Sequence, residues 1–135
     1  MKAPNIIKVA FGGVSAILSY MYGSMDGWLN ALVYVCVLDY ITGVVQAIFN
    51  KNLNSEIGFK GIAKKLLIFL IVALANILDN VMQAGGILRV AVIGFYIANE
   101  GLSILENGGK MGLQYPQKLK SILEQLKEGE KEHGN

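Results

Sequence analysis

The chain has 135 residues, of which 53% are hydrophobic and 16% charged, with mean hydropathy +0.46 and a formal net charge of +2. Soluble domains carry about 25% charged residues, and here the deficit is concentrated, because Val9–Met25 and Trp28–Asn50 together hold one charge, Asp39. No basic run is dense enough for nucleic acid, and four apolar segments of roughly 17–21 residues leave no length for a separate globular core.

The first apolar segment, about Ile6–Tyr22, follows Lys2 and Lys8. A positive start before an apolar run is also how a signal peptide begins, but no small-x-small cleavage site follows cleanly and three more apolar segments do. It reads as a span. Ser15, Ser19 and Gly23 recur every four residues on one face, a spacing that permits close helix contact. After a turn at Gly23–Gly27, Trp28 opens the second segment at a position suited to lipid headgroups. This segment, Trp28–Phe49, carries Asp39 near its middle, with Thr42, Gly43 and Gln46 at helical spacing from it. Asp39 reads either as a protonated, hydrogen-bonded group inside a bundle or as a pore-facing, voltage-sensitive one. An aspartate at mid-membrane costs about 3 kcal/mol on insertion scales, so neither role is incidental.

Asn50–Lys65 is polar and basic and reads as a solvated connector, with Ile57, Phe59 and Ile62 able to dip into the interface. The third segment, about Ile62–Met82, begins at Lys64 and Lys65, which can snorkel to the headgroups. Asn76, Asp79, Asn80 and Gln83 gather on one face near its far end. Ala84-Gly85-Gly86 then makes a tight turn into the fourth segment, Ile87–Asn107. Arg89 and Glu100 lie about 20° apart around that helix and ~16 Å apart along it, with Tyr96, Ser103 and Asn107 on the same side. Charges at membrane depth face a bundle interior or water. The tight turn brings Asp79 and Arg89 to one membrane surface, where an ion pair between them is expected, and Glu100 approaches the level of Lys64 and Lys65. Gly108-Gly109-Lys110-Met111-Gly112 is expected to break the helix. Pro116 starts a short amphipathic helix, Gln117–Glu128, whose Leu119, Ile122, Leu123 and Leu126 follow the helical repeat. That helix is expected to lie on the membrane or against a copy of itself, with a disordered tail from Gly129 to Asn135.

Eleven of the twelve basic residues fall on one side if all four segments span, which places both termini in the cytoplasm. The expected organisation is an all-α integral membrane protein of four transmembrane helices, with three as the alternative count. Residues 1–109 form the membrane domain and 110–135 the cytoplasmic helix and charged tail. Cys36, the single cysteine, reads as a small buried apolar residue. His133 has no metal-ligand company. Phosphate loops, Cys/His metal spacings and Ser/His/Asp sets are absent, so neither catalysis nor a cofactor is expected.

The order of motifs resembles the toxin-secretion and phage-lysis holins, phage holin family 4. The residues that carry the resemblance are Leu38-Asp39-Tyr40-x-Thr42-Gly43, Ser55-x-x-Gly58-x-x-Gly61-x-x-Lys64-Lys65, Leu78-Asp79, Leu88-Arg89, Tyr96-x-x-Asn99-Glu100-x-x-Ser103-Ile104-Leu105-Glu106-Asn107 and Pro116-x-x-Leu119. The likeness covers about Trp28–Leu126. It implies a protein that accumulates in the bacterial inner membrane, oligomerises and permeabilises it, releasing or activating an endolysin or exporting a toxin. Endolysin is then implied as a functional partner, with no direct contact required. The polar residues expected to serve a pore or assembly are Asp39, Thr42, Gln46, Asn76, Asp79, Arg89, Tyr96, Asn99, Glu100 and Ser103. Two other classes fit the same stripes: a small oligomeric channel or transporter with a fixed pore, and a membrane adaptor whose tail helix recruits a soluble partner.

Overall fold

Helix ends in this chain are set by short polar caps between apolar runs, and the computed structural model, which describes residues 3–132, contains five helices. α1 spans Ala3–Tyr22, α2 Gly27–Phe49, α3 Ser55–Met82, α4 Ile87–Lys110 and α5 Gln117–Glu132. Asp26 caps α2 by accepting from the Leu29 amide at 3.0 Å, which satisfies one of the amides a helix start leaves without a partner. Asn54 does the same for α3, accepting from Glu56 N at 2.8 Å. The first four helices are long and apolar enough to cross a membrane, and their outward side chains are apolar, Phe11 at 75% exposure and Val81 at 73% among them.

α4 is the central element, packing on α2, α3 and α5, while α1 leans on α3. The apolar core lies where α2, α3 and α4 meet, around Leu29, Leu32, Cys36, Ile68, Val72 and Ile93. Cys36 is buried there as a small apolar side chain. The glycines of α3 serve this packing. A Cβ at Gly58 would stand 3.4 Å from the Tyr40 hydroxyl and one at Gly61 3.7 Å from the Tyr40 ring.

Three boundaries differ from the sequence reading. α3 starts at Ser55 rather than near Ile62, because the Asn54 cap and a Glu56–Lys60 pair at 3.3 Å support polar turns ahead of the apolar stretch. α4 continues past Asn107 through Gly108 and Gly109 to Lys110, and the chain reverses within the expected glycine stretch at Gly112, whose φ of 85° suits glycine. α5 runs on to Glu132, past Glu128 and into the stretch expected to be disordered. It packs along α4 within the same chain. Its Leu126 and Leu123 seat on α4, where Cβ atoms at Gly94 and Gly101 would meet them at 3.4 and 2.8 Å, whereas Leu119 and Ile122 are exposed. Lys2 and His133 lie outside the described residues.

Candidate functional site

Two polar clusters are buried between the apolar helices, one at each end of α4's inner face. In the first, the Lys65 ammonium of α3 donates to Asp39 Oδ2 of α2 and to Glu100 Oε2 of α4, both at 2.7 Å. The three side chains are 17%, 11% and 7% exposed, so each charge is largely removed from solvent. Asn107 closes the cluster: its Nδ2 donates to Asp39 Oδ1 at 3.1 Å, to Thr42 Oγ1 at 2.9 Å and to the Asp39 carbonyl at 3.3 Å. The Thr42 hydroxyl in turn donates to the Asp39 carbonyl at 3.0 Å. Gly43 permits this approach, since a Cβ there would sit 3.7 Å from Asn107 Nδ2. A cleft of about 550 Å³, lined in part by Gln46, Lys64, Ser103 and Lys110, opens beside the cluster. Asp39 is therefore no lone carboxylate, and of the two lysines that were expected to reach the headgroups, Lys64 is exposed whereas Lys65 turns inward.

The second cluster joins the α1–α2 turn, the end of α3 and the start of α4. Arg89 Nη1 and Nη2 donate to Asp26 at 2.7 and 3.3 Å, while Nε and Nη2 donate to the Tyr22 and Ser24 carbonyls at 2.8 and 2.9 Å. This planar fork donates from three nitrogens in fixed directions, whereas a lysine offers a single ammonium. Gly23, with φ 74°, brings the turn against the guanidinium; a Cβ there would stand 3.3 Å from Arg89 Nε. The expected Asp79–Arg89 ion pair is not formed. Asp79 instead accepts from the Gly86 and Arg89 amides at 2.8 and 3.0 Å, because Gly86 at the N-cap of α4 has no side chain with which to cap its own helix. Asn76 donates to the Tyr20 and Met21 carbonyls, closing the end of α1. Arg89 also holds the Asp26 carboxyl below its ordinary value, through the side-chain hydrogen bond first and aided by the Leu29 amide, against a smaller effect of burial.

Among the described residues no buried side-chain nitrogen or oxygen lacks a partner. An isolated Asp, Lys or Arg at membrane depth costs about 2.5–3.5 kcal/mol on insertion scales. Pairing offsets that cost, so both clusters act chemically as pins between helices. Of the remaining candidates, Tyr96 is partly buried with its ring edge-on to Phe95 at 5.2 Å, and Asn99 accepts from Lys127 of α5 at 3.3 Å. Lys65, Asp26 and Asn107 complete the clusters. Lys65 had a signal in its level with Glu100, and Asn107 in its place on the polar side of the fourth helix; Asp26, in a turn, had none beyond its polarity.

The sequence model of the bacteriophage holin family matches residues 16–128. The chain is 41% identical over 118 residues to the uncharacterized protein Lin0175 of Listeria innocua, covering 87% of this chain and 84% of that one. A 14.9 kDa protein of Clostridium perfringens, in the nagH 3' region, is 39% identical over 90% of this chain and 93% of its own. A probable holin of Bacillus phage phi105 is 38% identical over 106 residues, 78% of each chain. No solved structure matches.

Proposed function

Since the chain belongs to the bacteriophage holin family and is a multi-pass, all-α membrane protein, we propose that it accumulates in the bacterial inner membrane, assembles with copies of itself and then permeabilises that membrane. The lesion gives an endolysin access to the cell wall, or a toxin a way out. The observation that carries this reading is the family match over residues 16–128, which takes in α2 to α4 whole, most of α5 and the last third of α1. The bundle supports it: its buried charged side chains find their partners within the protomer, while α1 to α3 present apolar faces to lipid or to neighbours.

While the protein accumulates, the N-terminus, the Asn50–Asn54 loop and residues 110–135 stay on the cytoplasmic side, where the basic residues are. Residues 1–109 form the membrane unit. Asp39, Thr42, Asn76, Asp79, Arg89 and Glu100 hold its helices in register, and Gln46 and Ser103 wet the cleft between them. The protein carries out no catalysis. The test is expression in bacteria with and without a co-expressed endolysin. Rapid lysis that needs both proteins is expected, and an endolysin that lyses equally well without this chain would overturn the reading.

A further inference from the structure

At one depth the protomer has two kinds of outer surface. α1, α2 and α3 expose apolar side chains such as Phe11, Ile41 and Leu70. α5 exposes Lys118, Glu124 and Glu128, with Lys120 paired to Glu124 at 3.8 Å, beside the half-exposed Leu119 and Ile122. α5 is not below the membrane unit but runs back along α4. Leu123 meets Gly101, Leu126 meets Gly94 beside Trp28, and Gly129 shares a cleft with Asp26 and Arg89 at the far end of the bundle. Lys127 is held on α4 by Asn99 at 3.3 Å and stands 5.9 Å from the centre of the Phe95 ring. The charged face of α5 thus occupies the depth that α4 spans.

Hydrocarbon tolerates the first kind of surface and not the second, because charged side chains at that depth demand water or partners. A ring of copies with α1 to α3 outward and α5 inward meets both demands. We propose that in the permeabilising assembly α5 is docked on α4 and its charged outer face forms the wall of the water-filled lesion. This rests on the membrane-permeabilising function proposed above. Asp39, Lys65 and Glu100 do not line the lesion, being joined to one another. Before the lesion forms, no water reaches this depth and α5 remains in the cytoplasm; docking of α5 on α4 and entry of water then occur together.

The test uses the full-length protein with Cys36→Ala, added to vesicles of phosphatidylglycerol and phosphatidylethanolamine loaded with a small anionic dye. Gly94→Cys with Leu126→Cys, joined by a disulfide or a short thiol cross-linker, locks α5 to α4. Dye release within about twofold of the unlocked protein is expected; release lost on locking and regained on reduction would overturn the proposal, since α5 would have to leave. Lys120→Leu, Glu124→Leu and Glu128→Leu together remove the charged face. Release at least tenfold slower is expected at equal incorporation, restored by the charge exchange Lys120→Glu with Glu124→Lys and Glu128→Lys. Unchanged release from the leucine variant would show that the face is not the wall. Should the double-cysteine protein be inactive even when reduced, the leucine variant decides alone. Absence of release from the Cys36→Ala parent and the unmodified protein would instead remove the function proposed above, and this inference with it.

Discussion

The Asp26 carboxylate and the Arg89 guanidinium meet at 2.7 Å, tying the turn between the first two helices to the first turn of α4 across 63 residues of sequence. Arg89 is 8% exposed and Asp26 35%, so truncating the arginine strands more buried polarity than truncating the aspartate. Arg89→Ala should cost about 2–4 kcal/mol, below the full loss for a wholly buried pair because Asp26 keeps some water. Arg89→Lys should fall between the wild type and Arg89→Ala, and Asp26→Ala should be mildest. Thermal unfolding in detergent gives the order. Equal losses for Arg89→Ala and Asp79→Ala, with none for Asp26→Ala, would show that Asp79 is the true partner.

The same pair fixes a pH dependence. Its folded-state carboxyl titrates below the ordinary value of 3.8, mainly through the Arg89 hydrogen bond. A depressed carboxyl contributes stability that is present above the unfolded value and lost as pH falls through the folded one. The contribution of Asp26 should therefore be flat from about pH 5 to 8 and disappear below about pH 4. In Asp26→Asn that acid-side loss should be smaller, read as the unfolding midpoint against pH. A variant whose profile matches the wild type below pH 4 would contradict the role given to Arg89.

At the other cluster, one ammonium serves two carboxylates at 2.7 Å each. Lys65→Met leaves Asp39 and Glu100 without a cation and should cost about 3–5 kcal/mol. Asp39→Asn keeps the Asn107 contact and leaves one carboxylate for Lys65, so about 1–2 kcal/mol is expected. Membrane accumulation and detergent stability should rank the two in that order. The reverse rank would place Lys65 outside the cluster.

How much of this was legible follows from what each signal measures. Hydropathy located α2 to within a residue, because Asp26 and Asn50 flank an unbroken apolar run. It missed the first turns of α3, which are held by a cap and a surface pair rather than by apolar side chains. Periodicity showed that Arg89 and Glu100 share a face of α4, yet it says nothing about how helices are rotated against each other. Asp79 therefore looked like Arg89's partner from loop length, whereas the turn carrying Asp26 stands nearer the guanidinium. For Glu100 the same reasoning succeeded, because Lys65 lies at a matching depth. The leucine stripe of α5 was plain in the sequence; that Gly94 and Gly101 open a seat for it on α4 required the backbone.

That seat is itself open to test. A Cβ at Gly101 would come 2.8 Å from Leu123 Cδ2, a side-chain tip that can swing aside. Gly101→Ala should be mild, whereas Gly101→Phe overfills the gap and should lift α5 from α4. Trypsin cleavage at Lys120 and Lys127 in detergent should then quicken by about fivefold or more, since an undocked helix opens more readily. Equal cleavage rates in wild type and Gly101→Phe would show that α5 is not held there.

The permeabilising role is tested most directly by following membrane potential and release of a cytoplasmic protein in single bacteria as the protein accumulates. A holin should leave both unchanged while its level rises, then collapse the potential and release the protein together within a short interval after a delay. A potential that declines in proportion to the protein level from the start, with cytoplasmic protein retained, would contradict it and mark the chain as a channel of fixed small bore.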